Sequence, residues 1–384
     1  MRPVFHFLIQ AGNMDMTRLS RRHLIAGTAG AGLMVGTARA EPDPHPRANQ
    51  ALTRIAFGSC ARSDKPQPIW DAVLETRPDL FIFLGDNVYL DTRDPVVMRR
   101  KYAELAAQPG FQRLKASVPI IAIWDDHDFG ENDAGVDYPM KEETRRLFLD
   151  FFGEPADSPR RTRDGIYTAH VFGPAGQRVQ ILLPDLRWNR TPLLPLDLGP
   201  QEYDDWVAHR AAAGQPTPGP YTRNPELTAT QLGETQWRWL EDQLSVPADI
   251  RILASSLQVV ADFAGWEGWM NFAHDHQRLI AAIRDRRANG LFCLSGDTHY
   301  GEISRLDVNT PYPLWDITSS GLTEVWPVTP PNALRVGEVF RDQNFGLLTL
   351  GWGGENPTVL AEIRDVNGVV RLEQALRIGD LTVR

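Results

Sequence analysis

The chain contains only two cysteines, Cys60 and Cys293, among its 384 residues. This is too few for a disulfide scaffold, although the pair could form one bond in an oxidising compartment. Cys293 lies inside an apolar run, which favours a buried and inert thiol. Cys60 follows another apolar run beside Gly58. We therefore expect no disulfide, with Cys293 in the core and Cys60 available as a metal ligand.

An excess of positive charge is also lacking, since the formal net charge is −9. An acidic chain of this kind does not present a broad nucleic-acid surface or an anionic-lipid surface. It can still hold a small basic pocket for one phosphate group. Long apolar runs are lacking as well, because the uncharged stretch at 24–38 is too short and too rich in glycine, alanine and threonine. We expect no transmembrane span in the mature chain.

The N-terminal residues have the pattern of an export signal. Arg21 and Arg22 precede the uncharged stretch, and Ala38-Arg39-Ala40 follows it as a small-x-small cleavage site. The paired arginines resemble a twin-arginine signal, so we expect export by the twin-arginine machinery to the periplasm or outside the cell. An uncleaved anchor is the alternative, and the start could be Met1, Met14 or Met16. The predicted segments are a signal peptide at 1–40, a linker at 41–51 and one domain at 52–384.

Four apolar runs of the sequence are each followed by a short polar motif. A short apolar run between turn residues predicts a strand that is buried on both faces. Ligands of α/β proteins bind at the carboxyl ends of such strands. Because the motifs supply thiol, carboxylate, phenol and imidazole groups, they predict a single metal site. The motifs are Gly58-Ser59-Cys60, Gly85-Asp86-Asn87-Val88-Tyr89, Asp125-Asp126-His127-Asp128 and Gly296-Asp297-Thr298-His299.

Elsewhere strands alternate with helical segments, which is typical of an α/β domain. We expect a hairpin around residues 173–176 and a helix over 228–244 capped by Thr230. The proline- and glycine-rich segment 192–225 predicts an irregular substrate loop. We expect His276 to be exposed. Of Trp266, Trp269 and Trp326, we expect two to pack inside the protein and one to line the pocket.

The residue types of the motifs suit the hydrolysis of a phosphate ester. This reaction requires charge neutralisation on the phosphoryl group and a nucleophile made from water. Two metals about 3.5–4 Å apart, joined by a bridging carboxylate, supply both. A histidine can then protonate the leaving oxygen. The sequence therefore predicts a metal-dependent phosphoesterase acting on phosphate monoesters, phosphodiesters or both.

The order of the motifs resembles the calcineurin-like metallophosphoesterase superfamily, and more closely its PhoD-like alkaline phosphatase D branch. The superfamily pattern is D-x-H, G-D-x-x-D, G-N-H-E/D and G-H-x-H. Here Cys60 stands where the first motif would be, and Tyr89 replaces the last aspartate of the second. The PhoD-like branch shows the same departures. Over residues 52 to 350, the resemblance implies a two-sheet α/β sandwich flanked by helices.

The same resemblance implies a ligand set for the first metal. Asp86 would be the catalytic carboxylate that bridges both metals, and the other first-metal ligands would be Cys60, Tyr89 and His299. A thiolate with a phenolate suits Mg²⁺ and Ca²⁺ poorly, because these ions prefer carboxylate and carbonyl oxygens. Ferric iron is the ion that we expect at this position.

For the second metal, the resemblance implies Asp126 and Asp297 as ligands, and these hard carboxylates favour Ca²⁺. Zn²⁺ and Mn²⁺ are the alternatives. His127 would be the catalytic proton donor or an outer contact to phosphate. Asn132 would be a further ligand or a phosphate contact.

Four other residues complete the prediction. Arg187 and Arg190 could bind phosphate oxygens, although an ion pair with Asp185 is an equal alternative. Asp125 and Asp128 are expected to orient His127. Two competing functions remain at this point. They are a catalytically inactive phosphate-binding protein on the same fold and a metal-free cysteine hydrolase using Cys60.

Overall fold

The four apolar runs all form strands, and these strands belong to two six-stranded sheets. The structure, a computed structural model, describes residues 49–384 with the exception of 214, 216, 327, 328 and 355. The predicted signal peptide and most of the predicted linker lie outside the described residues. None of the helices found in the described part of the chain has both the length and the apolar character required to cross a bilayer.

The strands are β1 (Arg54–Gly58), β2 (Leu80–Leu84), β3 (Ile120–Ile123), β4 (Thr168–Phe172), β5 (Val179–Leu183), β6 (Leu194–Pro195), β7 (Tyr221–Thr222), β8 (Ile250–Ala254), β9 (Leu291–Ser295), β10 (Gly301–Leu306), β11 (Leu314–Ser319), β12 (Asn344–Gly351), β13 (Thr358–Asp365) and β14 (Val370–Arg377). The helices are α1 (Ile69–Glu75), α2 (Pro95–Ala107), α3 (Pro109–Ser117), α4 (Asp126–Phe129), α5 (Lys141–Phe151), α6 (Pro200–Ala212), α7 (Glu234–Gln243) and α8 (Ala273–Asp285). Single 3₁₀ turns occur at Pro159–Arg161, Trp269–Phe272 and Ile378–Asp380.

Each large sheet has a parallel centre. The first has the strand order β14-β13-β12-β1-β2-β3, in which β1, β2 and β3 are parallel. The second has the order β10-β11-β9-β8-β5-β4, in which β11, β9, β8 and β5 are parallel. β2, β5, β8 and β9 are buried at every position, because both faces of these central strands are covered. The predicted two-sheet α/β sandwich is confirmed.

One hydrophobic core contains side chains from both sheets. Trp70 of α1 packs edge-on against Phe81 and Phe83 of β2, which attaches that helix to the first sheet. The helix α7 lies beside the second sheet, where the Gln180 side chain of β5 donates to the Gln243 carbonyl at 2.9 Å. Trp237 of α7 also makes an edge contact with Trp269. All described residues belong to one compact unit.

Two glycines allow the strand ends to approach each other closely. A Cβ at Gly296, after β9, would lie 2.6 Å from Ser59 Oγ and 2.9 Å from the Leu84 carbonyl oxygen. A Cβ at Gly85, whose φ is +97°, would lie 2.5 Å from the Asp125 Cβ. Side chains would keep these loops apart. Glycine at 296 lets motifs of the two sheets meet, and glycine at 85 lets two motifs of the first sheet meet.

Several local predictions can be compared with this fold. The hairpin is present as the antiparallel pair β4–β5. The segment 192–225 is not irregular throughout, because it contains α6 and the small β6–β7 sheet. The helix expected from residue 228 begins only at Glu234, after Gly233 with a φ of +74°. Thr230 instead accepts the Gly233 N–H at 3.0 Å in the turn before the helix.

Candidate metal centre

Four of the predicted metal ligands have a left-handed backbone. The φ angles are 63° at Cys60, 51° at Asp86, 71° at Asp297 and 60° at His299. This conformation costs a non-glycine residue about 1–3 kcal/mol, and such strain is concentrated at functional sites. Each of these residues lies in the loop that follows a strand end.

The predicted ligands of the first metal lie together. The Cys60 sulfur, an Asp86 carboxylate oxygen and a His299 ring nitrogen are all within 4.8 Å of one another. The Cys60 thiol donates to Asp86 Oδ2 at 3.6 Å. The Tyr89 hydroxyl lies 3.1 Å from His299 Nε2. The structure therefore places thiol, carboxylate, imidazole and phenol groups in a single cluster, in which only the imidazole residue is partly exposed.

The predicted ligands of the second metal lie next to this cluster. Donor atoms of Asp86, Asp126 and His127 lie within 4.8 Å of one another, and those of Asp125, Asp126 and Asp297 do so as well. Asp86 therefore belongs to both clusters, as a bridging carboxylate must. Asp126 is held in place because it accepts the His127 N–H at 2.9 Å and the Asp133 N–H at 2.6 Å.

The electrostatics of these carboxylates fit a bound cation. Burial raises the pKa of Asp86 well above its usual range, and neighbouring carboxylates add to this against the opposing effect of His127. Burial also raises the pKa of Asp297, and neighbouring carboxylates raise it further. Burial also raises the pKa of the Cys60 thiol and of the Tyr89 phenol. A cation reverses each of these shifts because it favours the deprotonated form.

His127 is held by a residue that the motifs did not indicate. Its Nδ1 lies 2.6 Å from Asp91 Oδ1. Burial disfavours the charged imidazolium, but three carboxylates outweigh it and raise the pKa of His127 to about 11. Asp91 lies two residues beyond Tyr89 in the same loop, with a φ of 45°. Its position near a motif was the only signal that the sequence offered.

Asp125 and Asp128 were expected to orient His127, but they contact other groups. The Asp128 carboxylate accepts the N–H groups of Asn87 at 3.1 Å and of Asp125 at 2.5 Å, which joins two strand-end loops. Asp125 Oδ1 accepts the Ser256 hydroxyl at 2.7 Å. That expectation is wrong, because Asp91 holds the imidazole ring.

The two predicted phosphate-binding arginines are buried and face carboxylates. Arg187 donates two hydrogen bonds of 2.8 Å to Glu267 and a third of 2.6 Å, through Nε, to Asp125. Arg190 pairs with Glu267 and donates to the Ala134 carbonyl at 3.1 Å. Neither guanidinium pairs with the Asp185 carboxylate, the alternative partner considered from the sequence. Their phosphate-binding role stays a prediction, while their contacts fix the carboxylates around the site.

Glu267 is the second residue that sequence reasoning missed. It is buried beside both arginines, and its donor oxygens lie within 4.8 Å of those of Asp126 and Asp133. No apolar run precedes it, because it lies in the long connection between β8 and α8. A pattern based on strand ends therefore could not find it.

The clusters open onto a pocket. The predicted site residues that line it are Asp86, Asp126, His127, Asn132, Asp297 and His299. Cys60 and Tyr89 are not part of its lining and are buried beneath it. Trp266 and Trp326 line the pocket, whereas Trp269 is buried and donates to Ser255 Oγ at 3.1 Å. The expectation of two packed tryptophans and one in the wall is thus reversed.

Comparison with known proteins agrees with this geometry. The family description "PhoD-like phosphatase" matches residues 160–340. The predicted resemblance to the PhoD-like phosphatases is confirmed. The chain is also 23% identical, over 304 residues, to alkaline phosphatase D of Bacillus subtilis (strain 168), covering 69% of this chain and 49% of that protein. The chain therefore spans about half the length of that curated relative.

Solved structures support the fold. A structure of PhoD has a TM-score of 0.64 and 14% identity, covering 89% of this chain and 74% of its own. A dimetal phosphatase from Danio rerio has a TM-score of 0.52 and 16% identity, covering 85% and 99%. GAP50, described as the anchor in the inner membrane complex of Plasmodium, has a TM-score of 0.52 and 13% identity, covering 86% and 90%. Because phosphatases and an anchor share this fold, function must be argued from the site.

Proposed function

We propose that this chain is a metal-dependent phosphoesterase that hydrolyses phosphate monoesters, phosphodiesters or both. The observation that carries the proposal is the position of Asp86 between two donor clusters. Its Oδ2 lies 3.6 Å from the Cys60 sulfur, and its Oδ1 lies 3.3 Å from the His127 backbone nitrogen. Each oxygen thus faces a different cluster, which is the arrangement that a two-metal site requires.

The donor chemistry suggests the ions. Ferric iron is proposed for the cluster of Cys60, Asp86, Tyr89 and His299, because thiolate, phenolate and imidazole are ligands of transition metals. Ca²⁺ is proposed for the carboxylates of Asp86, Asp126 and Asp297, with Zn²⁺ or Mn²⁺ as alternatives. When bound, the two ions would neutralise phosphoryl charge and activate water.

The surrounding side chains supply the remaining functions. Asp91 holds Nδ1 of His127, which leaves Nε2 as the nitrogen that can protonate a leaving oxygen. Asp126 is fixed by two backbone N–H groups and lies 3.8 Å from the Arg187 guanidinium. These contacts limit the movement of the carboxylate before substrate arrives.

The structure disfavours a cysteine hydrolase. A cysteine nucleophile needs a lowered thiol pKa and access to substrate. Cys60 is fully buried, and burial raises its pKa. Its nearest hydroxyl partners are Ser320 at 3.2 Å and Ser59 at 3.5 Å.

The metal assignment is tested by elemental analysis together with a visible absorption spectrum of the native protein. We expect near-stoichiometric iron and a broad tyrosinate-to-iron band that Tyr89→Phe abolishes. Tyr102→Phe is the matched control, because Tyr102 is also buried and its hydroxyl has no hydrogen-bond partner among the described residues. A colourless, metal-free protein that still hydrolyses an ester would refute the assignment.

We also propose export by the twin-arginine machinery to the periplasm or the medium. The support is the order of Arg21-Arg22, an uncharged stretch and Ala38-Arg39-Ala40. N-terminal sequencing of the exported protein should show a new terminus after Ala40. Joint Arg21→Lys and Arg22→Lys substitution should keep the protein in the cytoplasm, whereas Arg18→Lys should not. An intact N-terminus in the membrane fraction would instead indicate an uncleaved anchor and contradict this proposal.

A further inference from the structure

The wall of the pocket beside the donor clusters is aromatic. The rings of Trp266 and Trp326 meet at 70° with centroids 6.0 Å apart. The backbone N–H of Trp326 donates to the His299 carbonyl at 3.0 Å, and Trp266 directly precedes Glu267. Trp326 is therefore held beside His299, and Trp266 beside Glu267. Other apolar residues in the lining are Ala261, Phe263, Ala264, Met270, Pro330 and Pro331.

The described part of this lining contains no lysine and no arginine. It does contain carboxylates that are not predicted metal ligands, namely Asp133, Asp262, Glu267 and Glu302. A bound metal pair would offset the negative charge of one phosphoryl group. If the same substrate carried a second anionic group, this lining would offer it no lysine or arginine. The charge of that anion would therefore be buried without a partner, which is costly.

The guanidinium groups near the pocket are occupied by carboxylates. Arg335 Nε donates to the buried Glu302 at 2.5 Å. At the rim, Arg223 lies 3.8 Å from Asp262, and its guanidinium covers the Phe263 ring at 5.0 Å. Together with Arg187 and Arg190 on Glu267, these pairs occupy the guanidinium groups near the pocket. Its lining is therefore aromatic and offers no cation to a second anion on the substrate.

We infer that the pocket selects phosphate esters whose organic group is flat, apolar and free of negative charge. This inference rests on the proposed function. The organic group packs against Trp266 and Trp326 while its phosphoryl group lies at the donor clusters. Esters that carry a second phosphate or a carboxylate are rejected.

Three non-hydrolysable phosphonates test this specificity on the metal-loaded protein by calorimetry. Phenylphosphonate should bind about tenfold more tightly than methylphosphonate, because its ring is buried against the indoles. The ring of 4-carboxyphenylphosphonate has the same shape but a second negative charge, so it should bind at least about tenfold more weakly than phenylphosphonate. Equal affinities for the three probes would overturn the inference.

Variants separate the two parts of the inference. Trp266→Ala and Trp326→Ala should each reduce the phenyl-to-methyl affinity ratio about fivefold, whereas Trp206→Ala on α6, outside the lining, should not. Asp262→Asn should reduce the penalty on the carboxylated probe about threefold, because it releases Arg223. Asp307→Asn is the matched control, since Asp307 also pairs with an exposed arginine, at 2.9 Å, but lies outside the pocket.

The failure of this inference differs from the failure of the proposed function. Loss of affinity for all three probes to the same extent in the tryptophan variants would show a structural role and overturn the selectivity. If metal-loaded protein binds none of the probes and hydrolyses no ester, the phosphoesterase proposal falls and the inference falls with it.

Discussion

At the scale of single residues, the left-handed backbone of the predicted metal ligands is the strongest mark of a functional site. Cys60, Asp86, Asp297 and His299 occupy a backbone region that favours glycine. Their donor atoms also converge, and local folding alone gives no reason for this combination. The residues that hold the site, Asp91 and Glu267, were not predictable, because each acts through a contact distant in sequence.

The contact between Asp91 and His127 predicts how a substitution changes the reaction. Asp91→Asn removes the negative partner of the imidazole and should lower kcat about tenfold or more for esters with poor leaving groups. Esters of acidic phenols need less protonation and should lose less. The measurement is the slope of log kcat against leaving-group pKa, which should become steeper. An equal loss of kcat across the whole series would indicate a structural role for Asp91. Asp285→Asn is the control, because Asp285 is an exposed aspartate.

At the scale of elements, the four apolar runs were sufficient to predict the strands before the motifs, because a strand that is covered on both faces is mostly apolar. β2 and β9 are examples, and their following motifs lie where the prediction placed them. The segment 192–225 was harder, because its prolines and glycines obscure α6. Its contacts are also distant in sequence, as in the hydrogen bond from the Tyr221 N–H to the Gly265 carbonyl at 2.9 Å.

The close approach at Gly296 gives a prediction at this scale. Gly296→Ala places a methyl group against the Leu84 carbonyl and the Ser59 hydroxyl, so the two sheets must separate slightly. The free energy of unfolding should fall by about 1–3 kcal/mol, and the metal content should fall with it. Urea denaturation and elemental analysis measure the two effects. Gly353→Ala is the matched control, because nothing lies within 4 Å of its Cβ; equal behaviour of the two variants would contradict the prediction.

At the scale of the whole molecule, the two-sheet sandwich was predictable from the alternation of strands and helices together with the resemblance. The burial of individual polar residues was not. His276 was expected to be exposed but is buried on α8, with 5% of its surface accessible. The spacing of His276 from His274 indicates only that the two residues lie on different faces of one helix. The burial of His276 depends on how α8 packs against the rest of the fold.

The burial of His276 predicts a dependence of stability on pH. Burial lowers its pKa from 6.5 to about 4. The unfolded chain therefore takes up a proton near pH 6.5, while the folded protein does so only near pH 4. The stability contribution is complete above pH 6.5 and is lost as the pH falls, by about 1.4 kcal/mol per pH unit within that window. Denaturant titrations should show a flatter profile for His276→Gln, whereas exposed His209→Gln should leave the slope unchanged.

The distance along the chain between Cys60 and His299 has a consequence for biosynthesis. The ribosome makes these residues far apart in time, and the loops that carry them belong to different sheets. A nascent chain therefore cannot hold the proposed iron at its full ligand set until residue 299 has left the ribosome. Metal loading is then a late event. The ions present where the chain folds, and not those present where it works, determine which metal the site first meets.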